Sequence, residues 1–360
     1  MTLAVTDKTS DLTYTVNNDY KRAFLERMLP VCPYLLGSLP GELQKNGSTA
    51  TVKWRRIEAI APSTTALSEV TTSSYMQGRA STTLTKTDPT ATVLKYGQFV
   101  ILNEEVVDFD ASPVVMDTME NLGEAAGRSV SKLQENVVTT GLSARFAGGV
   151  ASAGLTDSKV TAADIKFVLN TLSRNNAKTF TPTHAGSDRV GSTPILRSFW
   201  ALHHPDVTPD LAAISGYKSL ETYAGHVATV EGEHGYLAEN GVGIRFVQTS
   251  DASIDEDAGV AVGSTGLRAS GTDIDLYTIS IIGKSCHGSV GFGQQFKDGV
   301  YRPDEKKLSA VDIIVKGMGS GGTSDPFNEI MTIAYKFWHA GAVLNSNVGY
   351  NIVAGASELE

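Results

Sequence analysis

The chain is 360 residues long, 41% hydrophobic and 19% charged, with a formal net charge of -9 at pH 7. This is enough material for roughly two domains and a substantial core; no apolar run approaches the ~20 residues that span a bilayer, and the acidic balance argues against a dedicated nucleic-acid binder, which would cluster Lys and Arg. Cys32 and Cys286 are the only cysteines, too few for a disulfide framework and without the spacing of a zinc site, so synthesis in a reducing cytoplasm is expected.

The opening MTLAVTDKTSDLTYTVNNDYKR has neither a basic n-region nor an apolar h-region and does not read as a signal peptide. A short helix is predicted from Tyr20 to Leu29, and Pro30, Pro33 and Pro40 break anything longer. Residues 1–45 therefore read as an arm that lies on something else.

Alternation begins at Ser48. Ala50, Val52 and Trp54 fall on one side and Lys53 and Arg55 on the other, with a slip at Arg55-Arg56 that suggests a bulge. A second alternating run, Thr92 to Leu102, places Leu94, Tyr96, Val100 and Leu102 together. The two runs are predicted to pair as an antiparallel ribbon. Between them, Ala61 to Thr90 holds fourteen Ser or Thr and almost nothing that makes a core. A two-stranded ribbon is marginal alone in water, so this projection needs a surface that its own domain does not supply.

The most regular element follows. Ser112 is a good N-cap with Pro113 after it, and Val115, Met119, Leu122, Ala126, Val130, Leu133 and Val137 recur at spacings of three and four up to Gly141. The pattern predicts one helix of about 28 residues, roughly 42 Å long. Gly123 and Gly127 either admit a close neighbour or are merely tolerated. A second helix, Thr161 to Asn175, opens with Thr161 as cap and Asp164 in the capping-box position, and carries Ile165, Val168, Leu169 and Leu172 on one face. After it come an apolar run from Pro194 to Leu202, a short helix near Asp206 to Ile214, and strands near Gly243 to Gln248, Asp275 to Ile282 and Val311 to Val315. Asp251 to Thr272 reads as a surface loop. The end, FNEIMTIAYKFWHAGAVL, suits strands.

Motifs that suggest chemistry are weak. Gly317 to Gly322 matches G-x-G-x-x-G, but Thr323-Ser324-Asp325-Pro326 is turn chemistry and no βαβ unit fits behind it. Gly283-Lys284-Ser285 resembles the end of a phosphate-binding loop, yet Thr278 stands where the first glycine belongs. His203, His204 and Asp206 are metal-ligand types, but adjacent histidines on an extended chain point apart, and Asp206 reads better as a helix cap. Asp255-Glu256-Asp257 lacks the spacing of a calcium loop. No catalytic, cofactor-binding or metal-binding residue is assigned, and an enzyme is not expected.

Six segments carry a resemblance: TVKWRRIEAIAPSTTALSE (Thr51 to Glu69), DPTATVLKYGQFVILNEEVVD (Asp88 to Asp108), LGEAAGRSVSKLQENVV (Leu122 to Val138), TAADIKFVLNTLSRNNA (Thr161 to Ala177), HPDVTPDL (His204 to Leu211) and DPFNEIMTIAYKFWHAGAVLN (Asp325 to Asn345). In this order they resemble the major capsid proteins of tailed bacteriophages, in particular the family of podophages carrying a virion RNA polymerase and of related prophages. The resemblance implies an α+β fold shared with herpesvirus shell floors. Residues 1–45 would be an N-terminal arm, 46–102 an extended β-hairpin loop, 103–141 and 301–360 a peripheral domain with a long spine helix, and 142–300 an axial domain.

It further implies a coat protein that self-assembles into pentamers and hexamers of an icosahedral shell around double-stranded DNA, located in the virion and assembled in the host bacterial cytoplasm. Portal, scaffold acting in trans, and decoration proteins would be partners; the packaged DNA would be held without specific binding, and no membrane is involved. A bacterial compartment shell of the encapsulin type is the alternative of the same fold. Trp54, Arg55, Arg56, Leu67, Val70, Tyr75, Met76, Arg79 and Leu84 are the expected contacts between subunits, with Lys53, Lys86 and Lys95 adding charge that sets register against an acidic body.

Overall fold

A computed structural model of the chain describes residues 33–41, 50–58, 60–64, 83–109, 114–184, 194–223, 232–263, 266–290, 312–319 and 325–358. Outside them lie the arm helix at Tyr20 to Leu29, the cap Ser112-Pro113, Cys32, the second half of the Gly317 to Gly322 run, and the ribbon residues Leu67, Val70, Tyr75, Met76 and Arg79.

The long helix runs from Val114 to Gly141, 28 residues as its periodicity predicts. Met119, Leu122, Ala126 and Val130 are buried at intervals of three and four, and Gly123 and Gly127 are buried among them. Toward its end the buried stripe drifts: Leu133 and Val137 are half-buried, while Gln134, Glu135 and Val138 turn inward. The helix thereby serves two cores. Its first half packs with Leu102, Ile333, Tyr335 and Phe337, and its last turns with Tyr34, Leu142, Leu202, Val247, Ile282 and Cys286.

The first core is roofed by a three-stranded antiparallel sheet in the order Asp312–Lys316, Ile330–His339, Leu94–Asn103. This corrects one expectation. The run from Leu94 does not pair with the strand at Val52; it pairs along its whole length with Ile330–His339, from Leu94 against His339 to Asn103 against Ile330. The reason is packing on the shared face: Tyr96, Val100 and Leu102 meet Phe337, Ile333 and Met331, and Tyr96 stacks on Phe337 with ring centroids 5.8 Å apart. A ribbon partner would have left that face without a helix to cover it. The ribbon's return strand is instead Lys86–Thr92: Thr51–Lys53 pairs Thr90–Thr92, and Arg56–Ile57 pairs Lys86–Thr87.

The larger core surrounds an eight-stranded mixed sheet. Its order is Ala144–Phe146, Gly349–Gly355, Leu276–Ile282, Ser198–His203, Val242–Gln248, Glu233–Glu239, Tyr217–Ser219, with Ile254–Asp255 pairing the third strand. Every residue from Leu276 to Ile282 is buried, as expected of a central strand covered on both faces. One face is covered by the helix Ala162–Arg174, whose Ile165, Val168, Leu169 and Leu172 enter the core. Its start matches the sequence reading: Thr161 accepts from the Asp164 amide and the Asp164 side chain reaches back to the Thr161 amide.

Two further expectations change here. Residues 301–360 were read as one peripheral piece, yet Gly341–Val343 pairs His287–Val290, and Gly349–Gly355 lies inside the larger sheet between Ala144–Phe146 and Leu276–Ile282. A run of small and apolar residues with both faces buried is suited to that interior position. The segment expected as a surface loop, Asp251 to Thr272, also contributes to the core where it is described: Ile254–Asp255 pairs the strand Leu276–Ile282, and Leu267 is buried with Ile274, Leu276 and Val353.

Leu169 is fully buried and Thr161 caps the same helix. Leu169→Ala is expected to cost about 3 kcal/mol and Thr161→Ala about 1 kcal/mol, read as falls in the urea unfolding midpoint.

Candidate subunit interface

The ribbon is strong at its root and bare beyond it. Val52 and Trp54 point inward while Lys53 and Arg55 point out. The indole of Trp54 lies against two backbones: a Cβ built on Gly41 would collide with Cζ2, and one on Gly288 would meet Cε2 at 2.8 Å, so only glycine fits at either place. Val93, Val290, Ala340 and Leu344 close around it. Trp54 is thus covered by its own chain, which corrects its assignment as a contact between subunits.

The slip expected at Arg55-Arg56 does not occur: the register is the same on both sides of the gap, with Lys53 against Thr90 and Arg56 against Thr87, and the inward–outward alternation runs on from Val52 to Glu58. The ladder is interrupted between Lys53 and Arg56, and the Trp54 amide donates to Pro89 O at 3.0 Å in the gap. Arg56 also turns to its own chain, donating from Nη1 to Leu344 O at 3.0 Å and from Nε to Glu58 Oε1 at 3.0 Å, while Thr87 Oγ1 donates to the same carboxylate at 2.8 Å. The hydrogen bond from Arg56, then that from Thr87, holds the Glu58 carboxyl below its usual range. Arg55 stays outside: its side chain is 68% exposed and faces Asp88 at 3.6 Å, with Lys86 on the other carboxylate oxygen at 3.3 Å.

Past the root, Ile57, Ile60 and Leu84 are each more than half exposed. A second apolar exposure lies on the outward face of the three-stranded sheet, where Phe99 is 63% and Ile101 58% exposed beside Ile330, with Phe109 85% exposed on the adjoining helix Glu104–Phe109. Lys95 sits over the Trp338 ring at 5.9 Å on the same face. Leu94–Asn103 is one of the two edge strands of that sheet among the described residues. Sequence reading missed Phe99 and Ile101, although the signal was present: that strand is apolar on both faces, which a strand with one wet face does not need.

The residues with chemical potential are used internally. His203 is buried; its Nδ1 donates to His204 O at 2.8 Å, which leaves its Nε2 to accept from His234 Nε2 at 2.7 Å, and Tyr217 OH lies 2.7 Å from His234 Nδ1, to which it donates. His204, not Asp206, is the cap, accepting from the Asp206 amide at 3.3 Å; the Asp206 carboxylate takes Tyr277 OH and Arg268, each at 3.0 Å. Burial pushes the Cys286 thiol up to about 12, far from a nucleophile's range. Among the described residues no three His, Cys, Asp or Glu side chains are grouped to hold a metal, and no helix is long and apolar enough to cross a membrane.

No protein-family model matches the chain, and no curated protein matches its sequence. The fold does match solved structures. It is similar to the capsid of Ralstonia phage GP4 at a TM-score of 0.60 and 10% identity, over 87% of this chain and 86% of that one. It is similar to the chain in the cyanophage Pam1 capsid asymmetric unit at 0.53 and 13% identity, over 87% of each. The acidic stable capsid of Helicobacter pylori bacteriophage KHP30 matches at 0.54 and 8% identity, over 89% of this chain and 88% of that one. The chain has the capsid fold of tailed bacteriophages.

The buried histidines give the fold an acid limit. Burial depresses His203 to about 3, and His234 and His339 to about 4, against about 6.5 in an unfolded chain. The unfolded state therefore binds more protons below pH 6.5, so the stability these groups contribute is fully present above that value and is lost as pH falls toward 4. The slope is at most about 1.4 kcal/mol per pH unit for each group, less for the partly exposed His234. Urea midpoints should hold from pH 8 to 7 and fall below 6.5, and His203→Gln should flatten that acid limb by about one proton.

Proposed function

We propose that this chain is the major coat subunit of a tailed-phage head. Copies join head to tail into pentamers and hexamers that close an icosahedral shell around double-stranded DNA, and the protein resides in the virion. Portal, a scaffold acting in trans, and a decoration protein are its further partners in this reading. The similarity of fold to three phage capsids supports a virion shell over a bacterial compartment shell.

One observation carries the assembly step. The ribbon exposes Ile57, Ile60 and Leu84 with nothing among the described residues to cover them, while the outward sheet face exposes Phe99 and Ile101. A ribbon laid across a neighbour's sheet buries both sets. Full burial of a wholly exposed large apolar side chain is worth about 1.5–3 kcal/mol; these five are each a little over half exposed, so together they supply roughly 4–9 kcal/mol, at the low end of the roughly 4–15 kcal/mol that association costs. A single contact is marginal. Each subunit both gives and receives a ribbon, so closing a ring adds one contact without adding a subunit, and assembly is cooperative. Arg55 and Leu84 from the root and shaft, together with Leu67, Val70, Tyr75, Met76 and Arg79 farther along, are the ribbon's contacting residues in this reading.

Replacing residues 60–84 with a short Gly-Ser turn leaves the root ladder in place and is expected to yield a soluble, folded subunit that forms no shells in negative-stain micrographs. Phe99→Asp, at an exposed position, should leave the melting temperature of the subunit nearly unchanged and reduce shell yield at least tenfold. Normal shells from the ribbon replacement would refute the assembly role.

A further inference from the structure

The turn Gly283-Lys284-Ser285 plays no part in assembly as described above, and its surroundings are unusual for so acidic a chain. A cavity of about 680 Å³ opens at the root of the ribbon, lined by Arg55, Arg56, Lys178 and Lys284 with Glu58 as its only carboxylate. Glu58 is already engaged by Arg56. Removing that pair from the four cations leaves three: Arg55, Lys178 and Lys284. Arg55 shares Asp88 with Lys86, and neither Lys178 nor Lys284 forms an ion pair among the described residues.

The lysines are placed together by backbone. The Lys284 amide donates to Lys178 O at 2.9 Å, and the turn closes with Cys286 N on Gly283 O at 3.2 Å. Gly283 lies flush with the wall: a Cβ there would stand 2.8 Å from Val348 Cγ1 and 3.0 Å from Lys178 O. Three separate segments thus bring cations to one concavity: the ribbon, the loop after helix Ala162–Arg174, and the turn after the central strand. Ser285 and Asn345 add polar groups to the lining.

We propose that this cavity binds a phosphate group. A tetrahedral dianion can accept from a guanidinium and two ammonium groups arriving from different directions, whereas the one carboxylate present satisfies Arg56 alone. The grip differs from that of a phosphate loop. No helix follows the turn, since His287–Val290 is a strand, and the amides of Lys284 and Cys286 are spent inside the protein. Side-chain charge does the holding, so binding is strongly salt-dependent. The phosphate comes either from the backbone of double-stranded DNA or from a free anion. Either would tie the ribbon root to the turn after the larger sheet's central strand. The site shares Arg55 and Ile57 with the ribbon surface of the assembly reading, whereas Lys178 and Lys284 lie outside it, so the lysine variants test phosphate binding separately.

The full-length protein is titrated with inorganic phosphate, followed by phosphorus NMR, and with a fluorescent duplex of arbitrary sequence, followed by anisotropy across a sodium chloride series. The double variant K178Q/K284Q is compared with wild type; both positions are exposed, and the singles K178Q and K284Q serve if the double variant melts early. At least one probe is expected to bind wild type and to bind the double variant about tenfold or more weakly, with the slope of log K on log salt for the duplex falling by about 2. Phosphate alone assigns a free-anion site, and duplex binding assigns a contact with packaged DNA. The proposal is overturned if neither probe binds, or if the double variant binds both as wild type does. It is equally overturned if neither binds and the double variant stops forming shells, since the lysines would then serve a neighbouring subunit's carboxylates.

Discussion

Everything in this chain is hung on one helix that must satisfy two cores at once. From Met119 to Val130 the helix Val114–Gly141 is lined by a face that fits under the aromatic row Tyr335, Phe337 and Tyr96; from Gln134 to Val138 it meets Ile282, Leu202 and Val247 of the larger sheet. The drift of its buried stripe is what an α-helix does over many turns, since 3.6 residues per turn carries a fixed heptad-like row slowly around the axis. A straight rod of this length therefore presents different residues to different partners without a kink. The C-terminal chain uses the same geometry in return, passing from Ile330–His339 in the small sheet through Gly341–Val343 to Gly349–Gly355 in the large one. The two cores are stitched together twice, once by the helix and once by strands.

Against that rigid body the ribbon is a contrast in materials. Its root has an indole wedged between glycine backbones, an arginine tied to a carbonyl and a carboxylate, and a broken but continuous ladder. Its shaft has exposed Ile60 and Leu84 and a composition dominated by hydroxyls. Two strands without a second layer have nowhere to put apolar side chains. The cost falls on exposure, and the outward face of the three-stranded sheet carries the matching exposure. A net charge of -9 favours repulsion between copies, so in the proposed shell the apolar faces are what must overcome it.

How much of this was legible in the sequence depends on the kind of signal. Periodicity specified the long helix to its length and the second helix down to its capping box, because both are local and the side chains that decide them are neighbours in the chain. Alternation identified the strand at Leu94 and the inward side of Tyr96, Val100 and Leu102, though Leu94 itself is exposed, but not its partner: a period of two says which way residues point and is silent on which strand lies alongside. The same limit hid Gly349–Gly355, whose small apolar residues have no period because both faces are buried. Trp54 failed for another reason. An aromatic on a ribbon reads as an anchor, and whether it anchors to a neighbour or at home depended on Gly41 and Gly288, which are distant in sequence. Asp206 lost its cap to His204 because a histidine ring can accept from an amide two residues on, a geometry that residue-type preferences rank low.

The contrast between a close-packed root and a shaft sequence rich in hydroxyls bears on a difficulty that any closed shell of identical chains must meet. Rings of five and of six require the same contact at slightly different angles. If the whole ribbon were as tightly packed as its root, one angle would be favoured and the other would strain close-packed side chains, which resist displacement steeply. Hydroxyl side chains are suited to the opposite task, since Ser and Thr both donate and accept and the proton rotates to suit the partner. Fourteen of them between Ala61 and Thr90 allow hydrogen bonds to be re-made as the angle changes, while a few apolar residues set the total affinity. In the proposed shell, direction is then determined at Trp54 and tolerance is distributed along the shaft, which is why a sequence so poor in core-forming residues suits the part of the subunit that does the joining.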